Sequence, residues 1–355
     1  MNIDNIPVID SHCHFFNMEY MQINFSKLLS LSLEQWDDDI LKETLFYKRA
    51  IRDLAIAYNV NIDEKVVLQT RETLCQQDYK SYVKMLFDKA NIKGMIIDIG
   101  YKPAKVDLND FKQFAPVEVK YVYRIETLID DYWNKRWNFD DAREHFLTTL
   151  EKEVKNGVIA FKSIIGYRTG LDIDILSEED ARRLYNNNDD EKSFRDFFFN
   201  ETIRICRKYN MPFQVHASFG ESNVNLLKNN PLLLKRILDA EEFKEVKIIL
   251  VHGGYPYSFE AGYLAAMYPN VYLDFSEMIP WITFDAKSAI KKVLDMAPFN
   301  KILFGSDGFI CPELYYLGAY WGKKLFSEII DELVSERILT ETEGYELASK
   351  IFYKN

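Results

Sequence analysis

Eight short runs of β-branched and other apolar residues recur along the 355-residue chain, with helical stretches between them. They are Pro7–Cys13, Gly94–Ile99, Val117–Arg124, Val158–Lys162, Met211–Val215, Val246–Val251, Val271–Phe275 and Lys301–Gly305. Several are apolar throughout instead of alternating. That pattern belongs to strands covered by helices on one face and packed inside a barrel on the other. Between the runs, Phe146–Lys155, Glu201–Tyr209, Phe259–Met267 and Ala286–Met296 carry apolar residues at helical spacing. Strand–helix alternation predicts a parallel sheet, and eight rounds predict a closed (β/α)8 TIM barrel. A doubly wound open sheet is the competing arrangement. It normally has fewer strands, and no G-x-G-x-x-G follows the first run.

The first two runs are separated by roughly eighty residues, far more than one crossover helix needs. The intervening 28–91 segment is rich in Leu, Lys, Glu and Asp and reads as several helices. It follows the end of the first strand and is expected to project over that rim as a helical cap. A second insertion falls at about 172–196, and Trp321–Tyr353 reads as helices closing the barrel. With no repeat, low-complexity tract or Pro/Ser linker, a single domain spanning 1–355 is the economical reading.

Hydrophobic content of 48% supplies a large core, and net charge is 44 − 55 = −11. That balance argues against nucleic acid and against an anionic membrane surface as partners. No apolar stretch approaches the roughly 18–20 residues of a membrane span, and the first residues lack a signal-peptide pattern. The four cysteines lie far apart with no C-x-x-C pair. Reduced thiols in a cytoplasmic protein are the expectation. A small-molecule substrate is the expected partner, and homo-oligomerisation stays open.

Four of the five histidines stand where a run ends: His12 and His14 in V-I-D-S-H-C-H, His216 in F-Q-V-H, and His252 in I-I-L-V-H. Asp307 closes a further run, K-I-L-F-G-S-D. Histidines two apart on a strand share a face, so His12 and His14 can grip one divalent cation, or form a satisfied polar pair. Cys13 between them faces the helices. Asp10 shares their parity one layer deeper and is expected to accept a hydrogen bond from a ligand imidazole. His216 or His252 alone can simply cap a strand, but several metal-capable side chains at one rim favour a shared site. His145, in a charged helix, reads as a surface residue.

Lys162 ends the fourth run in V-I-A-F-K-S. It can snorkel to solvent, bind an anionic substrate as an ammonium, or, as a neutral amine, take up carbon dioxide and ligate cations as a carbamate. Arg168, in G-Y-R-T-G, is a candidate for holding a substrate carboxylate bidentately, or for a surface ion pair. Tyr167, Tyr255 and Tyr257 are candidates for the pocket wall or for packing under a loop. Arg124 and Glu126 are expected to pair with each other.

Taken together, the motifs resemble the amidohydrolase superfamily. The likeness is strongest to its amidohydrolase-related (amidohydrolase 2) branch, which includes the amidohydrolase-like domain fused to glutamine synthetase in some proteins. The motifs are V-I-D-S-H-C-H, F-K-S-I-I-G-Y-R-T-G-L, F-Q-V-H-A-S-F-G, V-H-G-G-Y-P-Y with E-A-G-Y-L-A, Y-P-N-V-Y-L-D, and K-I-L-F-G-S-D with P-E-L-Y-Y-L-G-A. They span nearly the whole chain in order. No glutamine synthetase domain follows, so no role tied to that fusion is carried over.

The resemblance implies a metal-dependent hydrolase. His12, His14 and Asp307 would bind a first cation, Lys162 would bridge as a carbamate, and His216 and His252 would bind a second. In mononuclear members His216 joins the first site and His252 acts on the substrate. Asp307 and His252 are then the catalytic candidates, with Arg168, Tyr167 and Tyr255 toward the substrate. Zn2+ suits the ligands, one ion or two, with Mn2+ or Fe2+ as alternatives. The expected reaction is hydrolysis of an amide or related C–N bond in a small carboxylate-bearing molecule. A mononuclear decarboxylase or isomerase on the same barrel is the alternative, and a non-catalytic binding barrel ranks below both.

Overall fold

The computed structural model describes residues 1–101 and 106–355. Eight parallel strands stand in sequential order: β1 (Val8–Cys13), β2 (Ile92–Asp98), β3 (Glu118–Arg124), β4 (Ala160–Ser163), β5 (Phe213–His216), β6 (Ile248–Val251), β7 (Val271–Asp274) and β8 (Ile302–Leu303). Backbone hydrogen bonds then join β1 to the chain beyond β8. Ser11 N donates to Phe304 O (2.9 Å), Asp307 N to His12 O (2.9 Å) and His14 N to Gly308 O (2.7 Å). The barrel predicted by the apolar runs is the fold observed. β8 is shorter than its run because Phe304–Gly308 turns to meet β1 instead of continuing the ladder with β7.

Helices cover the outer face. Phe199 of the helix Glu191–Tyr209 packs its ring 5.0 Å from that of Phe213 on β5, so apolar residues of one strand parity are buried under helices. The opposite parity of β5 brings Gln214 and His216 inward. β1 departs from strict alternation, because its pairing with β2 shifts register between Asp10 and Cys13. The shift lets Ser11 as well as His12 turn toward the interior, where the Ser11 hydroxyl reaches Asp274 at 3.4 Å.

Between β1 and β2 lie short helices at Phe25–Leu28 and Asp38–Leu41, then Leu45–Tyr58, Glu64–Gln77 and Tyr79–Ala90. The polar residues Asp63 and Asp78 cap the last two through the Val66 and Ser81 amides. The helices Leu45–Tyr58 and Tyr79–Ala90 pack beside the long helix Pro312–Ser335. A buried ion pair, Arg71 Nε to Glu313 Oε1 at 2.5 Å, ties Glu64–Gln77 to the start of that same helix. Most of the insertion thus widens the barrel wall, and from it only Leu31 and Leu33 reach the central cavity. No helix among the described residues is long and apolar enough to cross a membrane.

Candidate metal centre and active site

At the C-terminal ends of the strands lies a cavity of about 280 Å³. His12 and His14 reach it from β1, Lys162 from β4, His216 from β5, His252 from just beyond β6 and Asp307 from beyond β8. All six are buried.

Hydrogen bonds fix which nitrogen of each imidazole faces inward. The Gln214 amide donates Nε2 to Ser11 O (3.0 Å), so its Oε1 accepts from His12 Nδ1 (2.9 Å). His14 Nδ1 faces the Asp98 carbonyl at 3.3 Å, which can only accept. Both rings therefore present Nε2 lone pairs to the cavity. Each meets another lone pair, since Asp307 Oδ1 lies 3.4 Å from His12 Nε2 and 3.2 Å from His14 Nε2. The two lone pairs in each of these contacts repel unless a cation sits between them. Bonds of about 2.0–2.2 Å in a tetrahedral zinc site put neighbouring donors about 3.3–3.6 Å apart. The residues present fit a divalent cation.

His252 is anchored the same way. Ser276 Oγ donates to Asp274 Oδ1 (2.5 Å) and so accepts from His252 Nδ1 (2.9 Å). Its donor atom groups with those of His12 and Asp307, all within 4.8 Å of one another. His216 Nε2 is buried and has no hydrogen-bond partner, an orphan that a cation would satisfy. Burial first, then the neighbouring Lys162 cation, holds the imidazoles of His12, His216 and His252 well below the ordinary value. They stand as the neutral bases that metal ligation requires. Burial pushes the Lys162 amine down to about 8, and its Nζ lies 3.4 Å from His12 Nε2.

Under the rim, two buried carboxylates clamp the chain. Asp10 accepts the Ser306 amide (2.9 Å) and hydroxyl (2.5 Å), and Asp274 accepts the Ser276 amide (2.9 Å) and hydroxyl (2.5 Å). Each serine precedes an acid with positive φ: Asp307 at 54° and Glu277 at 56°. Both acids point into the cavity.

Several expectations change here. Asp10 does not accept from a ligand imidazole. Its carboxylate is turned to Ser306, and Gln214 orients His12 instead. Arg124 does not pair with Glu126. Its Nε and Nη2 reach Asp98 Oδ2 on the neighbouring strand (2.9 and 2.6 Å), while Glu126 accepts from Ser163 Oγ (2.6 Å). Arg168 lines the cavity, but its fork already grips Asp130 (3.2 and 2.7 Å), leaving Nη1, which reaches the Tyr167 carbonyl at 3.4 Å. Tyr167 lines the cavity, its ring 4.5 Å from that of His216 and its hydroxyl on Glu221. Tyr255 and Tyr257 stand outside the lining. The positive-φ pair Gly253–Gly254 swings the chain away, and Tyr255 packs on Phe219 at 5.6 Å. His145 is exposed and bonded to Tyr132. The reading of the residues missed Gln214, Glu221, Glu277 and Tyr101. For Glu277 one signal was available: S-E follows the seventh run as S-D follows the eighth.

Residues 173–353 match the amidohydrolase family model. The chain belongs to the amidohydrolase family. Over 99% of its length it is 26% identical to the protein fluG of Emericella nidulans. It spans 45% of that protein, less than half of the relative's length. Among solved structures, this amidohydrolase is similar to a candidate metal-dependent hydrolase of Lactobacillus casei. The identity is 25% and the TM-score 0.86, over 99% of this chain and 94% of that one. The fold alone is shared with a uronate isomerase of Thermotoga maritima, at 12% identity and TM-score 0.70, over 99% and 94% of the two chains. The amidohydrolase fold thus has hydrolases and isomerases among its neighbours.

Proposed function

We propose that the protein is a metal-dependent hydrolase that cleaves an amide or related C–N bond in a small carboxylate-bearing molecule. The observation that carries this reading is Asp307 Oδ1 facing the Nε2 lone pairs of both His12 and His14, at 3.4 and 3.2 Å, close to the separation of neighbouring ligands in a zinc site. Zn2+ is the proposed ion, with Mn2+ or Fe2+ as alternatives. When bound, the cation supplies Lewis acidity that lowers the pKa of water from about 15.7 toward 7 and polarises a carbonyl.

The chain's own residues do the rest. Asp307 takes the proton of the attacking water and returns it to the leaving nitrogen as the C–N bond breaks. His252, its Nδ1 proton held by Ser276, turns its other nitrogen toward the substrate or a cation. The neutral amine of Lys162 is the form that adds carbon dioxide, releasing a proton and creating a carboxylate between the two histidine pairs. Arg168, through Nη1, and Arg124 lie on the cavity wall where a substrate carboxylate would sit. The volume of about 280 Å³ suits a small molecule rather than a polymer. The four buried free cysteines agree with a reducing, cytoplasmic setting.

The test is metal analysis of the purified protein followed by a screen of N-acyl and γ-glutamyl compounds. Protein that binds no transition metal, with no response to added zinc or manganese, would refute the reading. One observation favours a second reading: Asp307 Oδ1 faces both His12 and His14, so a single cation held by these three would leave His252 free as a base for decarboxylation or isomerisation. One cation per chain with an unmodified Lys162 would select it.

A further inference from the structure

Glu277 is not among the residues assigned above. It lies three positions beyond β7, at the centre of a γ-turn closed by Met278 N to Ser276 O at 2.5 Å, with φ 56° and ψ −52°. This is the rarer, strained hand of that turn, and few residues other than glycine occupy it. Strain of this kind is held only where the surroundings impose it. Here the Asp274 clamp on Ser276 imposes it, and the consequence is a carboxylate aimed into the cavity. The Asp10 clamp on Ser306 delivers Asp307 in the same way from the end of the adjacent strand, β8.

The Glu277 carboxylate is 3% exposed. Among the described residues the only ion-pair candidate within 4 Å is the neutral His252, whose Nδ1 lies at 3.7 Å, too far for a hydrogen bond. Ion pairing therefore leaves it uncompensated. Its donor atom lies with those of His216 and His252 in a buried group, all within 4.8 Å of one another. His216 Nε2 in that group has no hydrogen-bond partner. Two imidazoles and a carboxylate, all buried and one nitrogen without a partner, make a donor set for a hard or borderline divalent cation.

We infer that Glu277 is the carboxylate ligand of a second divalent-cation site that it forms with His216 and His252. The inference rests on the metal-dependent reading above and goes beyond it by adding a ligand from the β7 end of the barrel. The second site then needs no carboxylated Lys162 to bring in negative charge.

The probe is Co2+ or Zn2+ alone. Protein stripped by a chelator and reloaded is analysed for metal per chain by mass spectrometry, and Co2+ titrations are followed by the visible absorption of the bound ion. The expected result is two cations in the parent, one in Glu277→Gln, and two in Lys162→Met. Glu277→Asp, which keeps the charge but shortens the arm, binds the second cation at least tenfold more weakly than the parent. It is read in the same way should Glu277→Gln fail to fold by circular dichroism. Two cations bound to Glu277→Gln with unchanged affinity would overturn the inference. So would loss of the second cation in Lys162→Met but not in Glu277→Gln, or a single cation in the parent. The first-site reading survives each of those outcomes, and only a parent that binds no cation removes both.

Discussion

Asp307→Asn should change stability in opposite directions with and without metal. In the metal-free protein, Asp307 Oδ1 faces two imidazole nitrogens at 3.4 and 3.2 Å, and both are acceptors once Gln214 and Asp98 have taken the Nδ1 protons. Asparagine is nearly isosteric and tolerates the φ of 54° as aspartate does. Its Nδ2 donates to one of those nitrogens, a hydrogen bond worth about 1 kcal/mol net. It also removes a buried negative charge that neighbours Glu277. Metal-free Asp307→Asn should therefore be more stable than the parent by about 1–2 kcal/mol. With zinc at about a thousand times its dissociation constant, the parent gains about 4 kcal/mol by mass action and the variant gains almost nothing. The order inverts, and turnover is nearly abolished in the variant. Urea denaturation of both proteins, with chelator and with zinc, reads all four states. A metal-free variant less stable than the parent, or one that gains as much from zinc, would refute the lone-pair argument.

Lys162→Ala should retain both cations if Glu277 supplies the second site's charge; metal content that falls and is partly restored by added acetate or propionate would instead show a carboxylated amine among the ligands. Arg71→Met leaves Glu313 buried without its partner and should cost about 3–5 kcal/mol, with much of that recovered in Arg71→Met/Glu313→Gln. Equal losses in the single and double variants by urea denaturation would count against it. Asp196 is buried, and burial raises its carboxyl to about 7 despite its bond to Lys192. Because the folded value exceeds the unfolded 3.8, the folded state holds a proton that the unfolded state has lost. Its contribution to stability falls as pH rises from about 4 to 7. Asp196→Asn should flatten that slope in denaturation midpoints taken at pH 4 and pH 8, and an unchanged slope would reject the assignment.

The barrel was legible because burial on two faces leaves runs with no polar interruption, and because the runs alternate with helical spacing. Strand ends were legible for a related reason, since a histidine or aspartate closing an apolar run marks the depth at which the interior becomes polar. What escaped were partners chosen by the fold rather than by sequence proximity. Arg124 is two residues from Glu126, yet Asp98 on the adjacent strand wins, because parallel pairing sets it opposite Val122, within reach of the Arg124 side chain two residues on. Nothing in F-Q-V-H sets Gln214 apart, yet its amide is locked between the Ser11 carbonyl and His12 Nδ1. Tyr255 looked like wall because it follows His252 so closely. Two positive-φ glycines redirect the chain in between, and periodicity carries no trace of that turn.

The rim concentrates conformations that a stable barrel would avoid. His252, Glu277 and Asp307 all hold positive φ, at 77°, 56° and 54°. Such positions cost on the order of 1–3 kcal/mol each. The two clamps show how that cost is met. Asp10 and Asp274 lie fully inside the barrel and accept the amide and hydroxyl of the serine before each strained acid, and Asp274 also accepts the His252 amide at 3.0 Å. One buried carboxylate thus fixes both His252, just beyond β6, and Glu277, just beyond β7, which joins the two loops mechanically. Losing Asp274 would release both residues together. If they hold one cation, that shared anchor is why two ligands on different strands stay in register.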